Sequence, residues 1–314
     1  MTATAPQTSL FERAVAGLVP FVPQPLARHF AKPYVAGETL ADALRVAAEL
    51  RAQSLGATFD ILGEAVVDEA TATAASSAYL ETLDALHSGG LDTNVSVKPS
   101  ALGSLLSWEL CHLNVARVVE RAEKLGGFVR IDMEDATTAD ATLALYRELR
   151  AQGHERLGIV LQSRLWRSAA DVEALAPLRP NVRLCKGVYL EPPQVAMQER
   201  EAIRLSFSKL LRRLLHHGCQ VAIATHDEAL VVDALDALAE HGIGPDHFEF
   251  QLLLGVRSDL AQVLARDHTV RVYVPFGSDS YAYAQRRLRE NPQIAGYVAR
   301  EALRSLARLS RRSQ

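Results

Sequence analysis

Apolar residues recur along this chain in two patterns. Short β-branched or apolar runs, each bounded by Gly, Pro or polar residues, alternate with longer stretches whose apolar positions fall three and four apart, the spacing of a helix with one buried face. The short runs predict strands over 58–63, 94–98, 128–133, 158–162, 182–186, 220–225, 248–253 and 270–274. No two of them are joined by a tight hairpin. Parallel strands with helical crossovers follow, because a short turn cannot link parallel neighbours. Eight such units predict an α/β fold, a closed (β/α)8 barrel of the TIM type. The rival is an open doubly wound sheet, but its GxGxxG phosphate fingerprint is missing from the first strand-to-helix turn, Leu62-Gly63-Glu64-Ala65.

The chain ahead of this repeat reads differently. Residues 1–37 are apolar but broken by Pro6, Pro20, Pro23, Pro25 and Pro33, which predicts a short helix and a wrapping arm. Glu38 or Thr39 then opens a helix reaching roughly Leu55, so the barrel domain is expected over 38–314. A chain of 314 residues can bury one large core, and 48% hydrophobic with 23% charged residues excludes disorder and fibrous repeats. The net charge of -3 carries no electrostatic footprint for nucleic acid. Cys111, Cys185 and Cys219 are far apart and lack CxxC spacing, which argues against disulfides and zinc and suits a reducing cytoplasm. No apolar run reaches the ~20 residues of a membrane span, and the N-terminus lacks a signal pattern.

A barrel concentrates its chemistry at the C-terminal ends of its strands. Those ends carry, in order, Lys98; Asp132 with Met133 and Glu134; Gln162; Arg183 with Lys186; Thr225 and His226; Gln251; and Tyr273. Only five lysines occur in the chain, yet two of them close apolar strands. Lys98 reads either as a rim ion pair with Asp132, as a cation for a substrate carboxylate, or as an amine for Schiff-base chemistry. Alternation puts Arg130, Asp132 and Glu134 on one face, so the acids could bind a divalent metal, pair with cations or cap the next helix; pairing is favoured because too few oxygen ligands accompany them for a metal. Arg183 and Lys186 precede Gly187, which lets a phosphate or a flavin approach the backbone; a rim salt-bridge network is the plain alternative. His226 alone reads as structural. In the final segment Tyr283 and Arg287, and Arg286 and Glu290, are i,i+4 neighbours on a helix, either a solvated face or a forked grip on a carboxylate walled by tyrosines.

Taken together, the strings SVKPSALG, RIDMED, VLQS, RLCKGVYLEPP, ATHD, FEFQLLLG, VYVPFG and YAYAQRRLREN, in that order between Asp60 and Asn291, resemble the proline dehydrogenase family, in its short monofunctional bacterial form. The resemblance implies a distorted (β/α)8 barrel that binds FAD, oxidises L-proline to Δ1-pyrroline-5-carboxylate as the first step of proline catabolism, and passes electrons to a quinone. It implies that Lys98, Arg286 and Arg287 hold the proline carboxylate, and that Tyr273, Tyr283 and Leu253 surround the pyrrolidine ring. Catalytic roles fall to Asp132, orienting the cations and tyrosine, and to Arg183, tuning the flavin near N5. Contacts to FAD fall to Met133, Gln162, Arg183, Lys186, Gly187, Val188, Tyr189, Thr225 and His226, and Glu290 would pair with Arg286. No metal is expected.

Two positions depart from the family pattern. Leu190 stands where many relatives carry Trp and Phe276 where some carry Tyr, which implies altered ring packing near the flavin. Tyr273, in contrast, favours proline over hydroxyproline. The segment after Asn291 is too short for an aldehyde dehydrogenase, so the next catabolic step is expected on another chain. A quinone acceptor would bring a cytoplasmic protein to the face of the inner membrane. Two other classes stay open on the residues alone: a metal-dependent or Schiff-base barrel lyase built on Asp132, Glu134, Lys98 or Lys186, and a non-catalytic binding barrel whose polar ring is structural.

Overall fold

The computed structural model describes residues 33–279 together with Tyr283. Eight parallel strands close on themselves in sequence order, each hydrogen-bonded to the next and the last to the first. They are β1 (Gly56–Ile61), β2 (Asn94–Val97), β3 (Phe128–Ile131), β4 (Leu157–Gln162), β5 (Asn181–Cys185), β6 (Gln220–Ala224), β7 (Phe248–Leu253) and β8 (Val270–Phe276). The periodicity therefore located every strand, with no end shifted by more than two residues. The largest shifts, of two residues, are at β1, which spans Gly56–Ile61, at β3, which ends at Ile131, and at β8, which runs on to Phe276.

The described helices are α1 (Leu40–Ala52), α2 (Glu69–Ser88), α3 (Trp108–Lys124), α4 (Ala139–Ala151), α5 (Ser168–Leu175), α6 (Arg200–His216), α7 (Glu228–Glu240) and α8 (Ser258–Leu264). Local chemistry fixes their starts. Thr39 and Asp42 form a reciprocal capping box on α1, and Asp68 and Ser107 accept the Thr71 and Leu110 amides at the heads of α2 and α3. Helix α1 precedes the barrel in sequence yet packs on both β1 and β8. The residues leading into it continue the sheet's edge: the Ala36 amide donates to Pro275 O at 2.9 Å and the Gly277 amide to Gly37 O at 3.0 Å.

Alternation along each strand sorts side chains between two environments. Val95, Val97, Val129, Ile131, Ile159, Leu161, Leu184, Ile223, Phe250 and Val274 all point outward and are buried beneath the helices. That shell supplies the hydrophobic driving force at about 25 cal/mol per Å² removed from water. Phe276 belongs to it, with its ring edge-on to Phe59 at 6.5 Å. Its place is in the outer core rather than beside a ligand in the lumen, which corrects the expectation of altered packing there. Most inward positions are polar: Thr58 and Asp60, Ser96, Arg130 and Asp132, Gln162, Arg183, Glu249 and Gln251, Arg271 and Tyr273, with Val160 and Ala222 apolar among them. Most barrels fill this space with branched apolar side chains; here charges fill it, and each must therefore be paired.

Candidate active site

Arg183 stands at the centre of the lumen with all three edges of its guanidinium occupied. Its NH1 donates to Asp132 Oδ1 at 2.6 Å, its NH2 to Ser96 Oγ at 2.8 Å and its Nε to Gln251 Oε1 at 2.5 Å. These partners come from β3, β2 and β7, none of them adjacent to β5 except across the lumen. Only closure of the barrel brings them together.

Tyr273 lies against this arginine, 5.1 Å from guanidinium carbon to ring centroid, and donates from its hydroxyl to Asp132 Oδ2 at 3.0 Å. Asp132 thus spends one oxygen on Arg183 and the other on Tyr273. Burial, reinforced by the Asp132 and Asp60 carboxylates, pushes the Tyr273 phenol well above its ordinary range, so it stays a donor.

Lys98 follows the end of β2, and its nearest partner is Asp60 rather than the Asp132 of the rim-pair reading. Its ammonium meets Asp60 Oδ2 at 2.5 Å and the Tyr273 hydroxyl at 3.0 Å, whereas Asp132 lies 4.0 Å away and Glu64 3.8 Å. Asp60 comes from β1, is wholly buried, and is further approached by the Tyr79 hydroxyl from α2 at 3.5 Å. Burial lowers the lysine pKa, but Asp60, Asp132 and Glu64 outweigh it and the net shift is upward. Lys98 is therefore an ammonium at neutral pH.

Glu134 lies just past β3 and turns away from the other two acids. It accepts the Ser100 amide at 2.8 Å and the Ser100 hydroxyl at 2.5 Å, capping the short 3-10 helix Pro99–Leu102 after β2 rather than the helix that follows β3. Arg130 sits near the opposite, N-terminal end of the lumen on Asn181 O and Oδ1, in space that any side chain at Gly158 would fill. Among the described residues no group of three metal-ligating side chains forms.

A second, less charged wall adjoins Arg183. Gln162 donates its amide to Met133 O at 3.2 Å and Glu134 O at 2.7 Å, which fixes the flip of the side chain because both partners are carbonyls. Its Oε1 is buried and has no hydrogen-bond partner. An orphaned acceptor of this kind costs free energy unless a donor arrives from a ligand. Opposite it, Gly187 has a φ of +93°, and a Cβ there would stand 2.5 Å from that same Oε1. Gly187 thus lets its segment close on the Gln162 and Arg164 side chains, and the orphaned Oε1 is an acceptor for a ligand that brings its own N–H.

The segment carrying Gly187 is anchored on both sides. Arg164 donates from NH1 to Tyr189 O at 2.6 Å, while the Lys186 ammonium meets Asp227 Oδ2 at 2.6 Å. Asp227 also takes Arg204 through Nε at 2.7 Å and NH2 at 3.0 Å. Burial alone would raise the Asp227 carboxyl, but Arg204 and Lys186 bring it down to about 2. Thr225 accepts the Asp227 amide at 3.2 Å, and His226 Nε2 accepts the Leu253 amide at 2.9 Å, which ties β6 to β7 and leaves the neutral ring its proton on Nδ1. Met133 is buried, Val188 is 40% exposed and Leu190 is 99% exposed.

The structure thus brings Lys98, Asp132, Arg183 and Tyr273 into one bonded cluster, with Met133 and Gln162 on the adjoining wall. Lys186, Gly187, Val188 and Tyr189 form one segment, and Thr225, His226 and Leu253 lie on the neighbouring strand ends. Tyr283 is buried against Val35 and Leu62 at the strand-end side of β1. Arg286, Arg287 and Glu290 lie outside the described residues. Sequence reasoning passed over Asp60, Ser96, Tyr79, Arg164 and the clamp made by Asp227. For Asp60 the signal was present: an acid between Phe59 and Ile61, two outward apolar residues, must face inward.

Residues 43–300 match the family model described as proline dehydrogenase. A proline dehydrogenase of Deinococcus radiodurans is 37% identical over 281 residues, covering 88% of this chain and 91% of that one. Proline dehydrogenase 1 of Bacillus subtilis is 34% identical over 275 residues, covering 87% and 91%. Among solved structures, proline utilization A of Bdellovibrio bacteriovorus, inactivated by N-propargylglycine, superposes with a TM-score of 0.80 at 24% identity. This likeness of fold covers 90% of the present chain but 37% of that longer one.

Proposed function

This chain belongs to the proline dehydrogenase family, and on that premise we propose that it oxidises L-proline to Δ1-pyrroline-5-carboxylate with a bound FAD and passes the electrons to a quinone. The observation that carries the reading is the orphaned Gln162 Oε1 facing Gly187 beside the buried Arg183 cluster. The flavin ring has an N–H edge that matches the acceptor and a reduced form that a nearby cation stabilises. When bound, FAD accepts the hydride from proline C5.

The chain's own residues supply binding and orientation. Lys98 offers a permanent ammonium to the substrate carboxylate, held forward by Asp60 and the Tyr273 hydroxyl. Arg286 and Arg287 are assigned to the same carboxylate on the resemblance. Tyr273, Tyr283 and Leu253 wall the pyrrolidine ring, and Asp132 fixes both Tyr273 and Arg183 through its two oxygens. Met133, Gln162, Arg183, Lys186, Gly187, Val188, Tyr189, Thr225 and His226 hold the cofactor, with Lys186 steadied by Asp227. Loss of the C5 hydride draws on the amine lone pair, so proline reacts with its amine deprotonated.

The lyase alternatives lose ground on the same geometry. Schiff-base chemistry needs a neutral lysine, and Lys98 faces three carboxylates within 4.0 Å. No described helix is long and apolar enough to cross a membrane; a quinone acceptor calls for peripheral contact with the membrane face. The test is an anaerobic absorbance spectrum before and after L-proline, with mass analysis of the released cofactor and a coupled quinone assay. Flavin bands that bleach with proline, an FAD mass and quinone reduction support the reading. A protein that stays colourless and unresponsive after FAD is supplied overturns it.

A further inference from the structure

Arg183 is held on its third edge by a chain of contacts running toward the far end of the barrel. Gln251 presents Oε1 to Arg183 Nε at 2.5 Å because its Nε2 is taken by Glu249 Oε1 at 2.5 Å. A flipped amide would turn donors toward donors at the guanidinium and an acceptor toward a carboxylate. Glu249 therefore decides which way Gln251 faces. Glu249 is itself fixed by Arg271, whose Nε lies 3.0 Å from both carboxylate oxygens. Arg271 continues through NH1 to Ala57 O at 3.0 Å and to Asp92. Burial alone would raise the Glu249 carboxyl, but Arg271 with Gln251 and Arg130 brings it below its ordinary value, so the amide always meets an anion.

We propose that Gln251 and Glu249 are positioning residues that hold the Arg183 guanidinium in the orientation from which its charge acts on the bound cofactor, and so set the ease of flavin reduction. The proposal rests on the flavin reading above. The hydrogen bonds of Gln251 and Glu249 go to Arg183, to each other and to Arg271, so each acts through Arg183. Without the Gln251 acceptor the guanidinium keeps Asp132 and Ser96 on one side and gains freedom on the other. Its field at the flavin then falls, and the reduced form loses stabilisation.

The holoenzyme tests this in Gln251→Met, which keeps the volume and removes the acceptor, in Glu249→Met, which removes the acceptor that locks the amide, and in the double variant. The readout is the reduced-to-oxidised flavin ratio at equilibrium with a reference dye, which a merely structural role would leave unmoved. Each single variant is expected to lower the ratio about tenfold, the equivalent of one hydrogen bond. Because Glu249 acts through Gln251, the double variant should match Gln251→Met rather than sum the two effects. An unchanged ratio in Gln251→Met overturns the proposal, and that variant carries the test alone should Glu249→Met fail to fold. Wild-type protein that binds no flavin would instead overturn the functional reading, so the two failures are distinguishable.

Discussion

Replacing Lys98 by Met removes the counter-ion that Asp60 meets at 2.5 Å, in a place where the carboxylate has 0% exposure. Left charged, Asp60 would cost about 3–5 kcal/mol, the range for a broken buried ion pair. Uptake of a proton caps that cost. Holding neutral at pH 7 a carboxyl that ordinarily titrates near 3.9 costs about 4 kcal/mol, and the same cap at pH 5 is about 1.5 kcal/mol, because each pH unit counts for about 1.4. The variant's folded-state carboxyl pKa lies above its unfolded value, so the variant is least stable at high pH and recovers as the pH falls toward 4. Asp132 contributes little to this penalty because it keeps Arg183 at 2.6 Å. Urea unfolding of wild type, Lys98→Met and Lys98→Met/Asp60→Asn, without proline, measures it at pH 7 and pH 5. The single variant should lose about 3–4 kcal/mol at pH 7 and about 1.5 or less at pH 5. The double variant should recover most of the pH 7 loss. Equal losses at the two pH values, or no recovery in the double variant, would refute the pairing of Asp60 with Lys98 as the governing interaction.

Three further outcomes are expected. Gly187→Ala puts a methyl 2.5 Å from Gln162 Oε1 at a φ of +93°; the purified variant should carry less flavin per protein by its absorbance ratio while its far-ultraviolet circular dichroism stays native. Tyr273→Phe removes the hydroxyl that bridges Lys98 and Asp132 and should weaken proline binding about tenfold, roughly one hydrogen bond, in an anaerobic flavin-bleaching titration. Asp227, brought to about 2 by Arg204 and Lys186, has a folded pKa below its unfolded one. Its contribution is present above pH 4 and lost between about pH 4 and pH 2, on the order of 1–2 kcal/mol after solvent screening at the rim. Acid unfolding of Asp227→Asn should lack that increment.

The order of strands and the ring of polar side chains at their ends were legible in the sequence because both depend on local spacing. Local spacing put Lys98 at a strand end, and the run Phe248–Leu253 matched β7 residue for residue. Alternation also assigns inward residues to a face, but not to partners. Arg130, Asp132 and Glu134 share a parity, yet Arg130 descends to Asn181, Asp132 meets Arg183 and Tyr273, and Glu134 leaves the strand to cap a neighbouring turn. Asp60 sat unassigned because its partner, Lys98, lies 38 positions away on the next strand. The Tyr273 hydroxyl reaches that same lysine from 175 positions away because β8 closes on β1. Side-chain direction is a property of two consecutive residues and is written in the chain; which charges meet across the lumen depends on the stagger and closure of all eight strands, which the packing of the outer apolar shell decides only once the whole barrel has formed.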